Sequence, residues 1–293
     1  MEASTSQHPH PTNPLHSAAV EGPEARAEVI VVETRTMLWD EPLDAILRTI
    51  AELIGTFIFV FAAIGASIST SIAGEQGLLV TALAAGLAYA VMVTALGHIS
   101  GGHFNPAVTV GLLVTRRIAP ILGALYIIAQ LAAAVGAAFM IRWLWPGTTA
   151  KSVGYGTPAI DPGLSTGEAL VLEAVLTIIL VWVFFATAAD PRGAYTAVAG
   201  FAIGLVYTVA IFVAGPLTGG PTGSVANPAR AFGPMVADWS WTDGWVWYAG
   251  PVLGGAIAAL LYELLYLRPL RPPPVGLPET GVEEPRPGDA ALS

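Results

Sequence analysis

The chain has 293 residues, is 54% hydrophobic and carries only 11% charged side chains. Water-soluble domains carry about 25% charged residues, so a soluble globule of this size is excluded and a membrane protein is implied. The formal net charge is -9, and it sits at the ends: residues 1–44 hold eight acids and two bases, residues 269–293 four and two, and residues 45–268 nine and eight. Acidic tails of this kind read as solvated segments and give no nucleic-acid partner. With no cysteine, disulfides, thiol catalysis and thiolate metal sites are excluded.

Residues 1–44 are polar and rich in His, Pro and Glu. They lack both the basic-then-apolar layout of a cleaved signal and the acid-poor composition of a transit peptide, and read as a disordered cytoplasmic tail. A hydrocarbon core about 30 Å thick needs roughly 20 apolar residues in a helix. Six stretches meet that need, at about 46–72, 77–97, 117–143, 166–188, 195–215 and 245–267. Two shorter apolar segments, 105–114 and 227–237, each open on Asn-Pro-Ala and cannot span. Residues 269–293, with seven prolines, read as a second disordered cytoplasmic tail.

Comparing the chain with itself accounts for the two short segments. Ala51-Glu52 lies 53 residues before Asn105, and Glu173 lies 54 residues before Asn227. The chain is therefore a duplication at an offset of 121 to 122 residues, with halves at about 45–145 and 165–268. Three crossings per half force the second half to insert upside down. The predicted fold is an all-α membrane protein with six transmembrane helices plus two half-helices in an inverted repeat, and broken helices at a repeat interface mark a pathway.

Counting bases sets the orientation. With both termini cytoplasmic, Arg26, Arg35, Arg48, Arg116, Arg117, Arg192, Arg268, Arg271 and Arg286 lie inside, and only Arg142 and Lys151 outside. Trp143, Trp145, Trp239, Trp241 and Trp245 then gather at the outer interface. Gly200 with Gly204 and Gly250 with Gly254 form GxxxG pairs that let helix backbones approach closely.

In Asn105-Pro106-Ala107 and Asn227-Pro228-Ala229 the asparagine is a good helix N-cap, proline suits the first turn and alanine permits close contact. Two half-helices entering from opposite faces bring their N-termini together near the midplane, each with roughly half a positive charge. Such ends repel cations, while the two Asn amides offer donors to an uncharged solute. Arg230 falls at the third position of the second half-helix, where both the helix end and the membrane disfavour a cation. Its repeat partner is Val108, so the fold does not demand it, and it is a functional candidate. Glu52 and Glu173 are the other intramembrane ionisable groups. Their repeat symmetry suits structural support of the irregular backbone leading into each half-helix more than a proton relay. His98 and His103 are read in the loop before Asn105, as hydrogen-bonded loop histidines rather than pH sensors.

These residues resemble the aquaporin, or major intrinsic protein, family. The resemblance runs over about residues 45–268 and rests on Ala51-Glu52 through Gly55-Thr56-Phe57, on Gly97 through Thr109 around the first motif, and on Asn227-Pro228-Ala229-Arg230 through Phe232-Gly233-Pro234. It implies a pore in each monomer, a homotetramer, and selectivity from pore diameter, lining hydrogen bonds and half-helix dipoles. It also implies a narrower filter outside the Asn pair, which carries over to Ala85, Ser224 and Arg230 and to a fourth position in the fifth span. Matching Gly200 through Leu205 puts the fourth at Ile211, with about four extra residues in the loop Leu217 to Val225; an ungapped count selects Gly215.

Water-selective members usually carry an aromatic at the Ala85 position and a histidine at the Ile211 position. The ring Ala85, Ile211, Ser224 and Arg230 should therefore be wider and less polar, resembling the nodulin-26-like subgroup and bacterial relatives that pass boric acid, arsenous acid, glycerol or urea. Ala231 and Met235 stand where glycerol facilitators usually have Asp and Lys, and Trp247-Tyr248 is nearer the water-channel pattern. The expectation is a passive channel for water and small uncharged solutes in the plasma membrane. A water-selective aquaporin is the first alternative and an ion-coupled secondary transporter the second. No cofactor, metal site or catalytic group is implied, since no nucleophile, base and orienting residue stand at motif spacing.

Overall fold

The computed structural model describes residues 42–73, 77–145, 147–192, 198–219 and 225–270. Among them every regular element is helical. Six helices are long and apolar enough to cross a membrane: α1 (Pro42–Ala73), α2 (Gly77–Ser100), α4 (Pro120–Leu144), α6 (Thr166–Phe184), α7 (Ala199–Thr218) and α9 (Val246–Tyr262). Helices α6 and α9 end in wider turns, Phe185–Ala189 and Glu263–Leu267, and a tighter turn, Arg268–Leu270, follows the second. Two half-helices, α3 (Pro106–Val114) and α8 (Pro228–Asp238), do not span; α5 (Gly147–Ser152) lies in a connection.

The ends of these helices correct the sequence reading in three places. The N-terminal tail expected from the sequence ends at residue 44, whereas α1 begins at Pro42, with Asp44 in its first turn paired to Arg48 at 2.5 Å. Proline suits a first turn and an acid there suits the helix dipole, which is why the helix starts early. His98 lies in the last turn of α2 and not in a loop. The helix stops only at Gly101 and Gly102, whose φ values of 93° and 67° are left-handed, and the Gly101 N–H closes the end on the Gly97 carbonyl at 2.8 Å. At the other end of the chain, residues 269 and 270 belong to the turn Arg268–Leu270 and not to a tail. Residues 1–41 and 271–293, read as disordered, lie outside the described residues.

Six crossings return the chain to the face it started from, so Pro42 and Leu270 share one face, called here the tail face. Exposed side chains on the long helices are large and aliphatic, among them Leu47, Leu87, Val91, Ile128, Val171 and Val213. That surface suits lipid, and the helices meet one another through small residues instead. Helix α2 packs on α7, α1 on α4 and α6 on α9. The half-helices cross between repeats: α3 packs on α9 and α8 on α4. This exchange makes the two halves one body.

Ion pairs close the tail face. Arg117 binds Glu263 at 2.7 Å, joining the loop after α3 to the end of α9. Asp190, just past α6, accepts from Arg192 at 2.7 Å and from the Tyr262 hydroxyl at 3.0 Å. Burial alone would raise the Asp190 carboxyl, but the Arg192 and Tyr262 bonds outweigh it and hold the group below the ordinary carboxylate range. On the opposite face Arg142 donates to the Ala237 carbonyl at 2.7 Å, a cation at the C-terminal end of α8. Trp143 and Trp239 are 77% and 78% exposed there.

The α2–α7 contact has no room for a side chain at its centre. A Cβ on Gly204 would meet the Gly86 carbonyl and the Ala90 backbone, atoms that cannot rotate away, and a Cβ on Gly86 would meet the Gly204 carbonyl in return. Overpacking usually costs about 1–3 kcal/mol, and backbone cannot relax as side chains do. Gly204→Leu is expected to lower the thermal midpoint in detergent or abolish monodisperse elution, while Gly147→Ala, where a Cβ meets nothing within 4 Å, leaves both unchanged.

Candidate functional site

Each half-helix is started by its own asparagine. Asn105 Oδ1 accepts from the Ala107 N–H at 2.9 Å, and Asn227 Oδ1 from the Ala229 and Arg230 N–H groups at 3.0 and 3.4 Å. The residue before each asparagine is left-handed without being glycine: φ is 45° at Phe104 and 41° at Ala226. Such a conformation costs on the order of 1–3 kcal/mol and persists only where the surroundings impose it.

Two sets of hydrogen bonds impose it here. Glu52 Oε2 accepts from the Phe104 N–H at 2.7 Å, and its Oε1 from the His103 N–H at 2.9 Å and the Ser100 hydroxyl at 2.7 Å. In the other half Glu173 Oε2 accepts from the Ala226 N–H at 2.7 Å, and its Oε1 from the Val225 N–H at 3.2 Å and the Thr218 hydroxyl at 2.6 Å. The carbonyls of the same two left-handed residues point across the repeat. Asn105 Nδ2 donates to the Ala226 oxygen at 2.9 Å, and Asn227 Nδ2 to the Phe104 oxygen at 2.9 Å. An amide has two N–H bonds, so this crossing uses one hydrogen of each.

A second layer repeats the pattern with different residues. Tyr126 donates to the Ser100 carbonyl at 2.9 Å, and its counterpart Trp247 to the Thr218 carbonyl at 2.8 Å. One part has no counterpart. Gln130 Nε2 reaches both Glu52 at 2.8 Å and the Thr109 hydroxyl at 3.1 Å, while His103 Nδ1 lies 3.1 Å from the same hydroxyl. Thr109 in turn donates to the Asn105 carbonyl at 3.1 Å, which makes His103 Nδ1 the donor in its pair. His103 is thus a buried, hydrogen-bonded histidine enclosed by the rings of Tyr126 and Phe184.

Arg230 is the third residue of α8 and is fully buried. Ala85 on α2 and Ile211 on α7 are also fully buried. Gly215 is buried one turn along α7 from Ile211, on the same helix face. Ser224 lies outside the described residues. Sequence reasoning gave no hydrogen-bonding role to Gln130, Ser100, Thr218, Tyr126 and Trp247, which differ in type between the halves. Among the described residues no three His, Asp or Glu side chains come together in a way that could hold a metal ion.

The Major intrinsic protein family matches residues 41–262. Among similar proteins are "Probable aquaporin TIP3-2" of Arabidopsis thaliana, 38% identical over 79% of this chain and 88% of its own length, and "Aquaporin TIP4-1" of Zea mays, 42% identical over 74% and 85%. The aquaglyceroporin from Plasmodium falciparum has a similar structure, with a TM-score of 0.68 at 24% identity over 77% of this chain and 98% of that one, a likeness of fold. The architecture is that of a multi-pass membrane channel, not an enzyme. This chain belongs to the major intrinsic protein family.

Removing either carboxylate strands its donors in the membrane interior, at about 1–3 kcal/mol for each unsatisfied group. Glu52→Ala and Glu173→Ala are expected to lower the thermal midpoint in detergent, read by tryptophan fluorescence. The corresponding Gln variants, which keep one acceptor oxygen, should be milder. Gln variants that melt like the wild type yet lose permeability would point to a relay instead.

Proposed function

We propose that the protein is a passive channel for water and small uncharged solutes of the glycerol, urea, boric acid and arsenous acid class. Its conduction path passes Asn105 and Asn227, flanked by Pro106, Ala107, Pro228 and Ala229. The observation that carries this reading is the reciprocal Asn105–Ala226 and Asn227–Phe104 bonding, which holds two half-helix N-termini together inside the membrane domain. The asparagine amides offer donors to a passing solute, and the two positive helix ends with Arg230 oppose cations and protons.

Ala85, Ile211, Ser224 and Arg230 form the filter ring, and Glu52 and Glu173 support the loops. The small residue at Ala85 and the apolar one at Ile211 favour a solute whose bare faces meet them while its hydroxyls meet Arg230 and Ser224. We place the chain in the plasma membrane with cytoplasmic termini; the base count supports that orientation, and the family likeness supports a homotetramer. A water-selective channel is the second reading, favoured by the TIP-type aquaporin names of the similar proteins.

Stopped-flow light scattering on proteoliposomes tests both readings. Water efflux under an impermeant osmolyte should exceed that of protein-free vesicles. Re-swelling under inward gradients of boric acid, glycerol and urea should follow and be lost in Ala85→Trp. Fast water efflux with no re-swelling selects the water channel. Saturable flux coupled to a proton gradient would show a transporter.

A further inference from the structure

Ala85 and Ile211 each have a bulky neighbour one helical turn away. Tyr89 lies four residues along α2 from Ala85, and Tyr207 four residues along α7 from Ile211, so each pair shares a helix face. Helix α2 runs towards the tail face and α7 away from it, which puts both tyrosines on the tail-face side of the Ala85 and Ile211 level. They are also repeat partners, as their hydrogen bonds show. Tyr89 donates to the His103 carbonyl at 2.6 Å and Tyr207 to the Val225 carbonyl at 2.7 Å, each two residues ahead of an Asn-Pro-Ala asparagine. The tyrosine pair therefore straddles the same two-fold as the asparagines.

Phe59 completes the group. It stands two turns along α1 from Glu52, with ring centroids 5.0 Å from Tyr89 and 5.2 Å from Tyr207. The two tyrosine rings lie 5.4 Å apart and nearly perpendicular, at 86°. Phe104, the left-handed residue of the first loop, is 6.3 Å from Tyr89. All four side chains are fully buried. Tyr207 meets both Phe59 and Tyr89 edge to face, Phe59 and Tyr89 are tilted at 31°, and rings at these separations are in contact.

Resting on the channel reading above, we propose that Tyr89, Tyr207 and Phe59 are the specificity-determining constriction of the pore, at the depth of the Asn pair and on the tail-face side of the filter ring. The cross-section open to a solute is set by these rings and not by Ala85 and Ile211. Small residues in the filter ring and large ones a turn further in offset each other, so the ring does not decide the size limit. The tyrosine hydroxyls hold the rings in place by donating to the loop carbonyls. A molecule at this level sheds water and regains few partners besides the asparagine amides. A bulkier solute also has to displace the rings and break a tether to His103 or Val225.

The test compares wild type, Tyr89→Val, Tyr207→Val and the double variant in proteoliposomes, reading water, urea and glycerol flux. Glycerol and urea flux should rise about tenfold in the double variant, a barrier change of about 1.4 kcal/mol, while water flux rises less. Valine removes packing, so Tyr89→Leu and Tyr207→Leu, which keep more apolar volume, are measured beside them. Variants that elute and melt like the wild type with an unchanged solute-to-water ratio overturn the constriction. If wild-type water flux exceeds that of protein-free vesicles in the same experiment, the channel reading survives that result. No flux above protein-free vesicles in wild type or variants overturns both.

Discussion

Backbone groups at membrane depth have no water to turn to, and the structure depends on how two of them are satisfied. Phe104 and Ala226 are left-handed, and each is held at both ends: its N–H by the glutamate of its own half, its carbonyl by the asparagine of the other half. The strain of two such residues is on the order of 2–6 kcal/mol in all. A hydrogen bond contributes about 0.5–1.5 kcal/mol net, and the two glutamates accept at least seven among the described residues, so the loops are stable at this depth. Because the carbonyl bonds cross the repeat, neither loop is satisfied without the other. The close backbone approach of α2 and α7 at Gly86 and Gly204 holds the two halves near enough for that exchange.

Symmetry is kept in the backbone and relaxed in the side chains. Behind the first loop stand His103, Thr109 and Gln130, a polar group joined to Glu52; their repeat partners are Val225, Ala231 and Pro251. Where the first half-helix carries Val108, the second carries Arg230, both fully buried. An inverted repeat supplies two equivalent frames, and function requires that they differ, because a pathway that discriminates needs its narrow and charged features at chosen depths. Tyr89 and Tyr207, like the two glutamates and the two asparagines, are alike in both halves and bonded alike, as expected of groups lying on either side of the two-fold itself.

Much of this was legible in the sequence because it rests on length and spacing. Six apolar stretches and two Asn-Pro-Ala starts follow from hydrocarbon thickness and helix capping, and the duplication follows from the Glu-to-Asn spacing. The misses have physical causes. His98 looked like loop because apolarity fades at residue 97, yet a helix needs only its hydrogen bonds and runs on until Gly101 turns left-handed. The tyrosines escaped because Tyr89 and Tyr207 are 118 residues apart, off the 121 to 122 of the motifs, the loops between α2 and α3 and between α7 and α8 differing in length. Tyr126 and Trp247 keep the offset of 121 but change type, since either ring can reach a carbonyl with one donor.

The placement of charge follows the same economy. In the proposed pore the two half-helix ends and Arg230 put about two positive charges near the path, while the carboxylates of Glu52 and Glu173 lie behind the loops they bind. Position, and not the sum of charges, then decides what a passing ion meets. At an effective dielectric constant of about 20, a monovalent cation about 8 Å from one such positive charge is opposed by roughly 2 kcal/mol, before any cost of shedding water. An uncharged solute meets no such term, and its remaining cost is the exchange of hydrogen bonds with water for hydrogen bonds with the asparagines. The glutamates that make the loops possible are engaged by the loop donors, so in the proposed pore they brace the fold while the positive helix ends face the passing solute.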